Sequence, residues 1–192
     1  MGLDMYLNAE KRLNKNSKID RQYINYFNKI NKIEYTKDLH DGDGLYISEY
    51  FSTRHINEDL KQLPKLKGQV GDIKSVKSDG DSYIVQTEAG YWRKANQIHD
   101  WFVNICQDGV DECQKTWLKP EQLMSLRSLI NEIGNSQSKA KVLLPTSSGF
   151  FFGSTEYNEY YFDDLRDTKL ILKDVLKKAT LDNWQLSYQS SW

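Results

Sequence analysis

Cysteine is scarce in this chain: Cys106 and Cys113 are the only two among 192 residues. Their spacing matches neither a paired-cysteine zinc knuckle nor a redox Cys-x-x-Cys. Two reduced thiols in a reducing compartment are therefore expected. Proline occurs three times and histidine three times. No His-x-x-x-His is present, and neither His40 nor His55 has a ligand partner one turn on, so a zinc site of the usual kind is not expected. Net charge is nearly absent as well, at -1. A general nucleic-acid coat needs a basic excess, so that class is disfavoured, although a local basic patch is compatible with the count. No apolar run reaches the length of a membrane span, and Met1 leads into no signal-peptide pattern. A chain of this length buries roughly 70% of its unfolded surface and needs no metal or disulfide staple.

What is present is aromatic and polar. Leu3, Met5 and Leu7 alternate with Asp4 and Tyr6, the period-two pattern of a half-buried strand over residues 2–7. Trp184, Leu186 and Tyr188 alternate with Gln185, Ser187 and Gln189 at the other end. Both ends are thus expected in one sheet, as neighbours. Ile73 to Thr87 reads as a hairpin turning at Ser78-Asp79-Gly80-Asp81. Gly90 is expected to end that strand and open a helix whose buried stripe is Ala95, Ile98, Phe102 and Ile105. Gln107-Asp108-Gly109 closes it. Pro120 opens the next helix with Glu121 in its first turn, and Gly134 stops it. A short helix over 137–144 and a long one over about 155–179 follow. Asp164 and Thr168 share the inner side of the long helix with Tyr161, Leu165 and Leu172, and so each requires a partner. The fold class is α+β: one domain over 1–192, a small, mostly antiparallel sheet including both terminal strands, and about four helices. Residues 8–66 are the least patterned, and about 8–80 reads as a variable insertion. Within them a helix is expected over 19–33, a turn at Asp41-Gly42-Asp43-Gly44, and a short helix over 56–63.

The candidate site gathers in two blocks. Tyr91, Trp92, Arg93, Lys94, Asn96 and His99 fall within nine positions at the expected strand-to-helix junction. Backbone N–H groups and the dipole at a helix start, with cations and aromatics added, suit an anion that carries a flat ring, such as a nucleotide. The plainer alternative has the aromatics packed and the cations paired with Glu88 and Asp100. His99 is a candidate acid–base group, or a satisfied histidine beside the apolar stripe. The second block, Gly149-Phe150-Phe151-Phe152-Gly153-Ser154-Thr155-Glu156-Tyr157, reads as a buried strand or a hydrophobic loop. Ser154 and Thr155 either cap the long helix or stand with Glu156 and Tyr157 at a pocket rim, where Glu156 serves as an acid–base group or as the partner of Arg93. The two blocks are expected to meet in space. Tyr157 to Asp164 mixes aromatics with acids, which suits a protein contact better than a nucleic-acid backbone.

Several of these motifs together have a precedent. The opening Met1-Gly2-Leu3-Asp4-Met5-Tyr6-Leu7, the run Gly90-Tyr91-Trp92-Arg93-Lys94-Ala95-Asn96-Gln97-Ile98-His99, Leu144-Pro145-Thr146 with Gly149 to Tyr157, and the closing Tyr188-Gln189-Ser190-Ser191-Trp192 resemble a family of uncharacterised proteins encoded mainly by tailed bacteriophages. The resemblance covers both ends and residues 88–179, and little of 8–80. It implies a viral origin and supplies no catalytic roles. The expectation that follows is an accessory protein in the host cytoplasm, with a possible counter-defence role. It would bind a small anionic, nucleotide-like ligand or a host protein, without cofactor or metal. The alternative is a small hydrolase or nucleotide-modifying enzyme using His99 and Glu156. A structural accessory of the virion fits the helix-rich pattern less well.

Overall fold

The two ends of the chain lie side by side. In the computed structural model, which describes residues 2–38, 50–52, 60, 62–150 and 152–192, strand β1 (Asp4–Arg12) is flanked by β4 (Ser82–Arg93) and β6 (Gln185–Ser191). Both pairings are antiparallel, with Asp4 opposite both Arg93 and Ser191. Among the described residues the order is β2-β3-β4-β1-β6-β5, six strands, with β2 (Tyr50–Ser52), β3 (Ile73–Asp79) and β5 (Thr116–Leu118) completing it. The expected pairing of the terminal strands and the 73–87 hairpin are both present. The turn at 41–44 and most of the helix at 56–63 lie outside the described residues.

Alternation sets the two faces of the sheet. Leu3, Met5, Leu7 and Ala9 are fully buried and join Leu165, Leu172 and Val175 in one core. Asp4, Tyr6 and Glu10 point to the opposite face. Five helices are described: α1 (Lys18–Asp38), α2 (Asn96–Cys106), α3 (Pro120–Ile133), α4 (Gln137–Leu143) and α5 (Glu159–Lys178). The 8–80 region contributes more than decoration. Its Tyr23 and Phe27 are core residues, and the Phe27 ring lies 5.2 Å from that of Tyr83. Lys11, buried on β1, reaches Asp182 at 2.6 Å and Asp20 at 3.6 Å, tying the sheet to the start of α1 and to the turn before β6. Burial pushes the Asp182 carboxyl up, but its bonds to Lys11 and Lys67 outweigh that and hold it below the usual range. No helix among the described residues is long and apolar enough to cross a membrane.

Two boundaries differ from expectation, each for a local reason. Gly90 does not end β4, which runs on to Arg93. The glycine is there because α5 crosses the sheet at that point: a Cβ on Gly90 would come within 2.5 Å of Ile171 Cγ2. The chain turns instead at Lys94, where φ is 59°. The long helix starts at Glu159 rather than near Thr155, because the Asn158 side chain accepts from Tyr160 N at 3.1 Å and caps it.

Candidate functional site

The two aromatic blocks meet at Asn96. This buried amide donates to the carbonyls of Phe152, at 3.1 Å, and Ser154, at 2.8 Å, and accepts from Ser147 N at 2.9 Å. A side chain in the first turn of α2 thereby organises the loop 147–154. Gly153 permits the close approach. Its φ is 95°, and a Cβ there would sit 2.9 Å from the Lys94 carbonyl oxygen.

His99 lies one turn further into α2 and is 2% exposed. Its Nδ1 is 2.7 Å from the Tyr188 hydroxyl and its Nε2 is 3.0 Å from Asp111 Oδ2. A neutral ring satisfies both contacts, with Tyr188 donating to Nδ1 and Nε2–H donating to Asp111. Burial keeps Tyr188 protonated by raising its pKa well above the ordinary value, and Asp111 adds to the shift. Asp111 Oδ2 also accepts from Trp192 Nε1 at 3.0 Å, while Ser190 Oγ lies 3.4 Å from Oδ1. Phe152 closes the remaining side, its ring edge-on to His99 at 5.1 Å. Sequence reasoning did not find Asp111, Tyr188 or Trp192 as partners of His99. The available signal was the inward phase of Tyr188 on its strand.

The expected anion cradle is distributed differently. The first turn of α2 is buried at Asn96, Gln97 and Ile98, and carries no charged residue. Arg93 and Lys94 therefore precede the helix rather than lining its first turn. Trp92 faces the core, where Nε1 donates to Thr168 Oγ1 at 2.8 Å, so its ring is not offered to a ligand. The Asp164 carboxylate, with its pKa raised by burial, accepts from Gln97 Nε2 at 3.0 Å. Both polar residues on the inner side of α5 thus have the partners their positions demand.

The groups open to solvent are Tyr91, Arg93 and Lys94. Tyr91 tilts against Tyr6, ring centres 5.4 Å apart, and its hydroxyl donates to Asp4. That hydrogen bond is the first cause of its raised pKa. Arg93 Nε stands 3.9 Å from Asp4 Oδ1, a loose pair, with its side chain 63% exposed. Both cations flank Gly2, where an added Cβ would lie 3.3 Å from Lys94 Cε and 3.8 Å from an Arg93 terminal nitrogen.

The rim residues of the second block are exposed and engaged locally. Ser154 Oγ accepts from Glu156 N at 3.1 Å, Thr155 O accepts from Thr146 Oγ1 at 3.0 Å, and Glu156 accepts from Asn158 Nδ2 at 3.3 Å. Tyr157 is half-buried, its hydroxyl accepting from Thr146 N at 3.1 Å. Phe150, in the same loop, is 96% exposed. Among the described residues no three His, Cys, Asp or Glu side chains gather to hold a metal ion. Burial pushes the Cys106 thiol up to about 12, far from a reactive thiolate. Comparison of the chain with protein-family models, curated proteins and solved structures returned no match.

Proposed function

We propose that this chain is a binding protein that takes a small anion carrying a flat ring, of the nucleotide kind, at the corner formed by Tyr6, Tyr91, Arg93 and Lys94. The observation that carries the reading is the contrast between this corner and His99. Two solvent-open cations stand beside a tilted tyrosine pair; the Asp4 carboxylate holds Arg93 loosely, and Glu88, which also acts on Tyr6, is paired with Lys74 at 3.6 Å. Arg93 offers charge-assisted, fork-shaped hydrogen bonds to phosphate, and Tyr91 offers a ring face. His99, the acid–base candidate, has both ring nitrogens engaged in a sealed interior. Glu156 is held in its own loop by Asn158. The phage resemblance of the sequence supports placing such a binder in the host cell, as an accessory protein with a counter-defence role.

Calorimetric titration with a nucleotide panel tests this. The wild type is expected to bind at least one member, and Arg93→Ala to weaken it by about 1.5–3 kcal/mol, the scale of a hydrogen bond to a charged group. No heat with any nucleotide refutes the ligand class. Product formation by the wild type on the same panel favours the enzyme alternative through His99 and Glu156. A second reading, contact with a host protein, is favoured by the exposed Phe150 and Tyr160 beside the acids Glu156 and Glu159. Large exposed aromatics of this kind carry interface energy.

A further inference from the structure

A cleft of about 420 Å³ opens at the β5 edge of the sheet, lined by Trp117, Leu118, Pro120, Trp184, Gln185 and Leu186. None of these side chains is charged. A charged ligand entering the cleft would shed water without meeting a counter-ion, so the lining selects a neutral occupant. Outside the lining, Lys115 lies over the Trp117 ring at 4.3 Å and is bridged to Glu10, and Lys11 lies 6.0 Å from the centre of the Trp184 ring and is paired with Asp182 and Asp20. Trp117 is 51% exposed, a large ring presented to solvent on a strand that needs no such surface. Trp184 Nε1 is already committed to Lys67 O at 2.9 Å, so its ring has no free donor to offer. Gln185 is the lining residue with an amide side chain.

Ser187 gives the second, independent observation. It is the cross-strand partner of both Trp117 and Asn8, is 0% exposed, and its Oγ has no hydrogen-bond partner. A buried hydroxyl without a partner is destabilising and calls for an explanation. Lys115 reaches from the β5 side across β6 to Glu10 on β1, and Ser187 lies in β6 between them. Opening the bridge frees the Glu10 carboxylate together with the Lys115 cation, so it brings no net counter-charge to a charged ligand, while a hydroxyl can bond either group.

An apolar aromatic ring would leave Gln185 and Ser187 unpaired, and a nucleotide would bring uncompensated charge. A neutral pyranose satisfies every part of the lining, with C–H groups on one face and hydroxyls around the edge. We propose that this cleft is a carbohydrate site. One sugar ring stacks on Trp117, its hydroxyls bond the Gln185 amide, and a further hydroxyl reaches Ser187 Oγ once the Lys115–Glu10 bridge opens. The site is separate from the Tyr91 corner, and neither reading depends on the other.

Saturation-transfer NMR and tryptophan fluorescence on the full chain test it, using glucose, galactose, N-acetylglucosamine and their disaccharides in the millimolar range. The wild type is expected to give transfer to the ring protons of at least one sugar and a change in tryptophan emission. Trp117→Ala should weaken that binding roughly tenfold or more. Trp117 is half-exposed, so this variant keeps its melt; Gln185→Leu provides a second one that weakens binding without opening the core. Arg93→Ala should leave sugar binding unchanged, which separates this site from the nucleotide corner. No transfer from any sugar overturns the proposal, as does binding that survives both Trp117→Ala and Gln185→Leu. Uptake of indole or another apolar ring alone, without any sugar, overturns it too.

Discussion

Replacing Asn96 with alanine isolates the contact that seats the 147–154 loop on α2. The side chain is buried and makes three hydrogen bonds, two donated to backbone carbonyls and one accepted from a backbone N–H. A net value of about 1 kcal/mol for each gives a loss of about 3 kcal/mol. The loop is at the surface, so its freed groups regain water in part, which brings the expected loss to about 2–3 kcal/mol. For a chain of this size each kcal/mol moves the melting temperature by about 2–4 °C, so a fall of roughly 4–12 °C is expected. Asn96→Asp keeps the volume and the acceptor for Ser147 N, yet turns a carboxylate towards two carbonyl oxygens. It is expected to be at least as damaging. Calorimetric melting gives the global cost, and amide exchange over 147–155 with chymotryptic cleavage at Phe150 gives the local one. An alanine variant that melts within about a degree of wild type, with exchange over the loop unchanged, would show that the loop is held by something other than Asn96.

Removing Gln185 to Trp192 takes away β6, the Tyr188–His99 contact and the stacked Phe102–Tyr188 pair at 4.1 Å; the shortened chain is expected to lose its cooperative melt, and a preserved transition would contradict the central role of the terminal pairing. Asp164 has a folded pKa raised by burial, so its contribution is favourable below the unfolded carboxylate value near about 4 and is lost as pH rises through the folded value. Asp164→Asn, which keeps an acceptor for Gln97, should therefore raise the melting temperature at pH 7 and leave it little changed near pH 3; the reverse order would show that the carboxylate is stabilised by its surroundings.

The parts of the fold visible in the sequence were those governed by local periodicity. The alternation at Leu3-Met5-Leu7 and at Trp184-Leu186-Tyr188 places both terminal strands, because a half-buried strand writes its two faces directly into the chain. Pro120 and Gly134 bound α3 for equally local reasons. Gly90 misleads, since a glycine that ends a strand and one that admits a crossing helix look alike until Ile171 is placed above it. The period of two through Tyr83, Val85, Thr87 and Ala89 would carry Tyr91 inward; a β-bulge opposite Leu7 and Asn8 shifts the phase at Ala89 and Gly90, so Trp92 turns in and Tyr91 and Arg93 turn out, which is how the site divides. Asp164 and Thr168 announced a need for partners but not that Gln97 and Trp92 meet it. The surroundings of His99 were hidden for the same reason: Tyr188 is 89 positions away, and the approach of the two is set by the whole sheet.

The position of β1 bears on how the chain is made. Strand β1 leaves the ribosome before both of its neighbours, one starting at residue 82 and the other at residue 185. Until β6 emerges, at least one edge of β1 is an unsatisfied row of backbone groups beside Leu3, Met5 and Leu7, the kind of surface that templates wrong pairings. Closure over such separations is slow, because the loop entropy is spent before the contacts repay it. Yield of native protein should accordingly respond to translation speed and to chaperone supply more than to the stability of the finished fold.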